Sequence, residues 1–449
     1  MPVFAAKGTR DLLPAAMHSR LRVIQTIREV YAMFGFEPIE TPAMERVETL
    51  MGKYGEEGDR LIFKILERGE GGREGKADMA LRYDLTVPLA RVMAMNQGLP
   101  LPFKRYQIQP VWRADRPQKG RFREFYQCDG DIVGSRSLAS DAECIAMAHL
   151  ALERLGFADF VVHVNHRVLL RALVTAAGVA DRETDVLVAV DKLDKIGRDG
   201  VTKELLDRGI AAESVDTLWR ILLEPADLDA VEAAIFLAAR GSPDAPGPDA
   251  ARDAATAAAE LRTIFGHLRA LGAMRVVFDG TLARGLGYYT GAVYEVKLTG
   301  IDGTGVGIGT VAGGGRYDGL IGMFSGKQVP AVGISIGLER ILTVMEERGM
   351  LAGERTSVRA LVTIFSPETV RASLELAAAL RAQGVPCEVW LGEPGGLGKQ
   401  FKYADQRGIP YALVLGPDEI AAETVALKAL GTGKQEVVPA RGLAALLQG

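Results

Sequence analysis

The sequence predicts an α+β protein. An antiparallel sheet of about six or seven strands carries flanking helices, is interrupted by a helical insertion, and precedes a separate C-terminal α/β domain. Three observations carry this. Two long extended stretches, FKRYQIQPVWR from Phe103 and FREFYQCDGDIVG from Phe122, flank a polar segment over residues 114–121 that holds Pro117 and Gly120. A loop joining neighbouring antiparallel strands has that composition. From about residue 175 to 270 the chain becomes Ala- and Leu-rich with helical spacing, broken by GSPDAPGPDA over 241–250. Beyond residue 357, strand-like and helix-like stretches alternate, as in an α/β module with a parallel core.

Taken in order, a helical pattern runs over residues 17–34 and is broken by Gly35; a short β-branched stretch over 36–41 ends at Pro42. LRYDLTVPLARVMAMN, from Leu81, starts extended and turns helical after Pro88, and a further helix covers 139–155. Strands return with MRVVFD and YYTGAVYEVKL, then a glycine-dense stretch over 300–315, then VPAVGISIG leading straight into the helix LERILTVMEERG. After a polar seam at 352–357, RALVTIF, PCEVWLG, YALVLG and TVALKAL read as strands. ETVRASLELAAALRAQG and GLGKQFKYADQRG are helices between the first three. The expected division is a core over 1–174 and 271–350, an insertion over 175–270, and a final domain over 357–449.

A chain of 449 residues with 48% apolar and 24% charged residues is enough for two or three well-buried cores. No stretch approaches the roughly 18 to 20 uninterrupted apolar residues of a membrane span, and MPVFAAKGTRDLLP lacks the charged-then-apolar order of a signal peptide. A cytoplasmic protein is expected, without a membrane partner. Cys128, Cys144 and Cys387 form neither a CxxC pair nor a cluster with His, so neither a zinc knuckle nor a disulfide framework is supported. A net charge of −4 argues against unspecific coating of nucleic acid, but leaves room for local basic clusters.

The densest such cluster is VWRADRPQKGRFREFYQ. Arg113, Arg116, Lys119, Arg121 and Arg123 ring one hairpin, a poor core and a good phosphate clamp, because guanidinium forks match phosphoryl oxygens. Arg284 lies between glycines and two tyrosines in LARGLGYYTG, where ligand and backbone can approach closely. Arg340 lies in the first turn of a helix that follows a strand, where the helix dipole also favours phosphate. Acidic and amide candidates are Asp84 and Thr86 in RYDLT, and Gln127 and Asp131 in QCDGDIVG. On a strand, residues 127, 129 and 131 share a face, so Gln127 and Asp131 can enter one pocket while Cys128 and Gly130 face away. GIGTVA from Gly307 fits a dinucleotide loop only loosely, and no GxxxxGK[ST] loop occurs; a nucleotide must therefore be held by side chains on the sheet.

The order of these segments resembles the class II aminoacyl-tRNA synthetases, and among them the histidyl-tRNA synthetase family. The resemblance spans KGTRDLLP, the region near Pro42, the whole 103–134 hairpin, VDKLDK, LARGLGYYTG, GGGRYDGLIGMF, VGISIGLERI and the C-terminal module, which resembles the family's anticodon-binding domain. It implies that ATP and histidine are substrates, with Mg²⁺ bridging the ATP phosphates and no metal cluster of the protein's own. It implies tRNA(His) as acceptor and a homodimer built through the N-terminal helix and the strand near Pro42. Arg113 and Arg284 are the implied catalytic pair, approaching the α-phosphate from two sides, while Arg121 and Arg340 complete the ATP contacts. Asp84, Thr86 and Gln127 match positions that hold the α-amino group; Asp131, Tyr288 and Tyr289 match the imidazole pocket. Arg116, Gln118 and Lys119 match the loop that meets the tRNA acceptor end. The chain departs from the family in carrying Gly287 where Asp is usual. A silent regulatory paralogue should lack the C-terminal module and several pocket residues, and a tRNA-sensing kinase fusion should carry kinase motifs; neither description fits. RGLGYYTG also argues against a synthetase for proline or threonine.

Overall fold

The structure is a computed structural model that describes residues 3–223, 227–240, 247–283, 288–300, 309–351 and 356–448. It divides into two compact units. One comprises Met1–Arg10 and Val23–Glu347, the other Asp11–Arg22 and Arg348–Gly449.

The first helix, α1 (Pro14–Met33), ends because Gly35 adopts a φ of 74°, a left-handed conformation that costs other residues a steric penalty. The reversal lets the Phe36 N–H return to the Tyr31 carbonyl at 3.0 Å. A two-residue strand, β1 (Glu37–Pro38), follows. Helix α2 (Thr86–Met95) starts two residues before Pro88, which therefore sits in the first turn, where its missing N–H has no intrahelical partner to lose. The expected hairpin forms as β2 (Phe103–Trp112) and β3 (Glu124–Val133), paired antiparallel from Phe103 opposite Val133 to Trp112 opposite Glu124. Helix α3 (Leu138–Arg154) then leads to β4 (Phe160–His166).

Strands β5 (Val276–Phe278), β6 (Ala292–Leu298), β7 (Thr310–Arg316) and β8 (Ala331–Gly337) complete the sheet in the order β1-β2-β3-β8-β7-β6-β4-β5. Its six inner strands run antiparallel, as anticipated. Each edge adds a parallel strand, giving eight where six or seven were expected. Both additions are short, at two and three residues, and lie in stretches read from the sequence as extended, 36–41 and MRVVFD; the strand not foreseen is β4. A second, three-stranded antiparallel sheet joins Met44–Arg46, Lys64–Leu66 and Ala77–Leu81. Arg82, at its end, is buried and donates to the carbonyls of Thr41 (2.6 Å), Pro42 (3.2 Å) and Pro110 (2.9 Å). These charge-assisted bonds tie the segment after β1 to the long hairpin.

Between β4 and β5 the described residues form the helices α4 (Arg167–Ala176), α5 (Glu183–Val190), α6 (Leu193–Asp207), α7 (Ala212–Leu223), α8 (Leu228–Arg240) and α9 (Gly247–Ala270). Leu170, Val186, Leu218, Ile235 and Leu261 are among its buried residues.

In the second unit, β9 (Ala360–Val362), β10 (Cys387–Val389), β11 (Tyr411–Val414), β12 (Thr424–Ala429) and β13 (Gln435–Pro439) form a sheet in the order β10-β9-β11-β12-β13. The parallel core is β10-β9-β11; β12 and β13 extend it antiparallel. Strand β13 was not foreseen: it is a largely exposed edge of mixed polarity with no period-two pattern. The expected helices form as α10 (Leu338–Glu347), in the first unit, and α11 (Val370–Ala382) and α12 (Leu397–Arg407), in the second.

Candidate active site

One face of β3 forms the floor of a cavity in the first unit. Gln127, Asp129 and Asp131 alternate along it and all line the cavity, while Cys128 is buried on the opposite side. Asp131 lies directly opposite Arg105 of β2, and their side chains meet at 2.8 Å with both fully or nearly buried. Burying an arginine demands such a partner. The Tyr317 hydroxyl donates to the same carboxyl at 2.5 Å. On the other side of β3, Gly333 of β8 faces Asp131, and a Cβ there would lie 1.9 Å from the carboxylate. Glycine at 333 therefore leaves Asp131 its space. Burial pushes the carboxyl of Asp131 up, with Arg105 and Tyr317 pulling against it. Asp129 is pushed up to about 7 by burial and by the neighbouring Asp131, despite Arg105 and a hydrogen bond from Ser335. Gln127 donates to the Ser335 hydroxyl at 3.0 Å.

Cationic groups lie along the same cavity. Arg113, just beyond β2, donates to the Tyr83 carbonyl at 3.0 Å and stacks over the rings of Tyr83 (4.2 Å) and Phe125 (5.1 Å). These two rings hold its guanidinium by cation–π contact. Arg121 pairs bidentately with Asp115 at 3.1 and 3.2 Å. Arg340, the third residue of α10, reaches the Thr310 carbonyl, and the neighbouring Glu339 accepts the Tyr126 N–H at 2.9 Å. Asp84 accepts from the Tyr54 hydroxyl and the Val87 N–H, each at 3.0 Å; burial pushes its carboxyl up. Thr86 opens α2 beside it. Tyr288 and Tyr289 are buried with ring centroids 4.9 Å apart, and Tyr288 packs edge-on to Tyr317.

Asp84, Thr86, Arg113, Arg121, Gln127, Asp131, Tyr288, Tyr289 and Arg340 thus border a single cavity of about 1100 Å³ open to solvent. Arg116, Gln118 and Lys119 lie outside it, exposed on the hairpin loop, with Lys119 paired to Glu347 at 2.5 Å. Arg284 and Gly287 fall outside the described residues. Sequence reasoning missed Arg105, Asp129, Tyr317 and Tyr54. Arg105 was within reach: extending the hairpin back from its loop pairs residues whose numbers sum to that of Trp112 plus Glu124, which sets Arg105 against Asp131. The cavity combines buried acceptors on its floor with guanidinium groups along its wall, suited to an anionic ligand joined to a small polar one.

Residues 8–341 match the profile of the family described as histidyl-tRNA synthetase, and residues 359–449 match that of an anticodon binding domain. The chain is 44% identical to a histidine–tRNA ligase of Cytophaga hutchinsonii, with 96% of each chain covered. It is 42% identical to that of Gloeobacter violaceus, over 98% of this chain and 97% of the relative. Among solved structures, the histidyl-tRNA synthetase of Nostoc sp. superposes with a TM-score of 0.82 at 32% identity, covering 100% of this chain and 99% of the other.

Proposed function

The chain belongs to the histidyl-tRNA synthetase family, and from that membership we propose that it activates histidine with ATP and transfers it to the 3′ end of tRNA(His). The observation that carries this reading is the cavity itself. Two arginines from distant stretches, Arg113 and Arg340, border the same space as Gln127 and Asp131.

The histidine carboxylate attacks the α-phosphorus of ATP and pyrophosphate leaves; the terminal ribose hydroxyl of the tRNA then attacks the adenylate carbonyl and AMP leaves. Both first-step reactants are anions, so fixed guanidinium groups at the α-phosphate offset their repulsion and stabilise charge in the transition state. Arg113, held by two rings, takes that position, with Arg284 as its counterpart by sequence motif. Arg340 and Arg121 contact the rest of the ATP. Asp84, Thr86 and Gln127 hold the α-amino group, and Asp131, Tyr288 and Tyr289 read the ring. Arg116, Gln118 and Lys119, exposed on their loop, meet the acceptor end of the tRNA. Alignment and electrostatics suffice.

Among the described residues no three His, Cys, Asp or Glu side chains cluster as a metal ligand set. Mg²⁺, which the family membership implies, would be held chiefly by the ATP phosphates and neutralise their charge. The second unit would read the anticodon, as its family profile suggests. A homodimer through α1 and the segment near Pro42 is supported by Met33 and Met44, which are at least half exposed there. No helix among the described residues is long and apolar enough to cross a membrane, and a cytoplasmic site of action accords with the tRNA substrate.

The test is transfer of labelled histidine to tRNA(His) by the purified chain. ATP-dependent charging of that tRNA supports the reading; absence of charging with all three substrates present refutes it.

A further inference from the structure

Asp129 is 2% exposed and lines the cavity between Gln127 and Asp131, yet none of the roles above uses it. Ser335, opposite it on β8, accepts from Gln127 and hydrogen-bonds the Asp129 carboxyl. The other oxygen, Oδ1, is buried without a hydrogen-bond partner. A buried acceptor left empty costs on the order of 1 to 3 kcal/mol, so an unpartnered oxygen on a residue that lines a ligand cavity points to a ligand.

Asp131 and Asp129 differ in what surrounds them. Asp131 has the Arg105 guanidinium at 2.8 Å and the Tyr317 hydroxyl at 2.5 Å, both favouring its ionised form. Asp129 has the Ser335 hydroxyl and, among the described residues, no cation within salt-bridge distance. Two neighbouring carboxyls sharing one guanidinium keep one proton between them more easily than none. That proton belongs on Asp129. A neutral imidazole carries one N–H and one bare nitrogen.

We propose that Asp129 is a second ring-reading residue: ionised Asp131 accepts the N–H of the bound imidazole, and the protonated Asp129 donates to its other nitrogen. This rests on the histidine reading of the cavity and deepens it. The pair then selects the neutral ring by complementarity, since an imidazolium offers two donors and would leave the Asp129 proton opposed. Other groups bear on the same carboxyl: Arg105 of β2, Asp84 before α2, Asp131 of its own strand, Arg82 at the end of the three-stranded sheet and Tyr31 of α1. Burial and the neighbouring Asp131 push the Asp129 carboxyl up to about 7.

The experiment measures the KM for histidine in ATP–pyrophosphate exchange, from about pH 6.5 to 8.5, in the wild-type chain, Asp129→Asn and Asp129→Ala; all see the same substrate ionisation. In the wild type the KM should rise roughly tenfold or more across that range as the donor is lost. Asp129→Asn keeps an N–H donor that does not titrate, so its profile should be nearly flat, within about threefold of the wild type at the acid end. Asp129→Ala should raise the histidine KM about tenfold with the ATP KM unchanged. An Asp129→Asn profile that rises as steeply as the wild type overturns the proposal, and so does an Asp129→Ala enzyme with a wild-type histidine KM. Should Asp129→Ala fail to fold, the Asn comparison decides alone. Absence of exchange in the wild type would instead count against the ligase reading.

Discussion

Arg105 and Asp131 face each other across β2 and β3, 2.8 Å apart, with almost no exposure on either side chain. The pair fixes the carboxylate at the cavity floor and neutralises it there. Removing one partner strands the other charge in a low-dielectric site. Arg105→Met should therefore destabilise the first unit by about 3 to 5 kcal/mol, and the double variant with Asp131→Asn should recover most of that. Chemical denaturation of the single and double variants checks this. A loss below about 1 kcal/mol for Arg105→Met would mean the pair is not a buried anchor.

Arg113 stacks on Tyr83 and Phe125 at the cavity wall, so its removal should leave the fold intact and strike the chemistry. Arg113→Ala should lower the exchange rate by about 10²- to 10³-fold, the range seen when one preorganised donor is removed. Arg113→Lys should recover little, because an ammonium neither stacks nor forks. Arg284→Ala, chosen from its motif, should abolish adenylate formation with an unchanged circular dichroism spectrum; near wild-type exchange would refute its role.

Much of this architecture was legible. The 103–134 hairpin announced itself by two alternating stretches around a Pro- and Gly-bearing loop, and period-two alternation placed Gln127 and Asp131 on one face. Arg340 at the start of a helix following a strand followed from the switch in periodicity. Strand β4 went unread although its valines at 162 and 164 alternate inward, because it runs directly into the Ala- and Leu-rich helices. Arg105 and Asp129 were hidden for a different reason. A charged residue in mid-strand reads as solvent-facing unless its partner across the sheet is known; hairpin register supplies that partner for Arg105, whereas Ser335, opposite Asp129, comes from a strand far along the chain. The surroundings of Arg113 were hidden likewise: its ring contacts come from residue 83 and from the returning strand, while sequence neighbours on a strand point elsewhere.

Space beside Asp131 is as specific as its charge. Asp131→Ala should mainly raise the histidine requirement, leaving the ATP requirement near wild type. Gly333→Ala should act in the same direction, because the added methyl would lie 1.9 Å from the carboxylate and displace it. Steady-state kinetics with each substrate varied in turn distinguishes the outcomes. A raised ATP requirement with histidine unaffected would contradict the ring-reading role.

Acid sensitivity should have a separate origin. Burial alone would raise the Asp279 carboxyl, but hydrogen bonds from His163 at 2.9 Å and from Thr281 outweigh it and hold it at about 2. A carboxyl depressed in the folded state contributes stability above its unfolded value near 4, and loses that contribution as the pH falls toward its folded value. Asp279→Asn should thus cost roughly 2 kcal/mol at neutral pH, with the difference from wild type shrinking between about pH 4 and pH 2. Paired thermal melts across that range check the sign; a difference that grows on acidification would contradict it.

The central claim is that this cavity activates histidine and no other amino acid. ATP–pyrophosphate exchange with each proteinogenic amino acid supplied singly tests it most directly. Exchange is expected with histidine and, for every other amino acid, at a rate lower by a factor on the order of 10⁴, because a pocket of buried polar groups rejects side chains that leave them unpaired. Comparable exchange with proline, threonine or any other amino acid, or none with histidine, would contradict it.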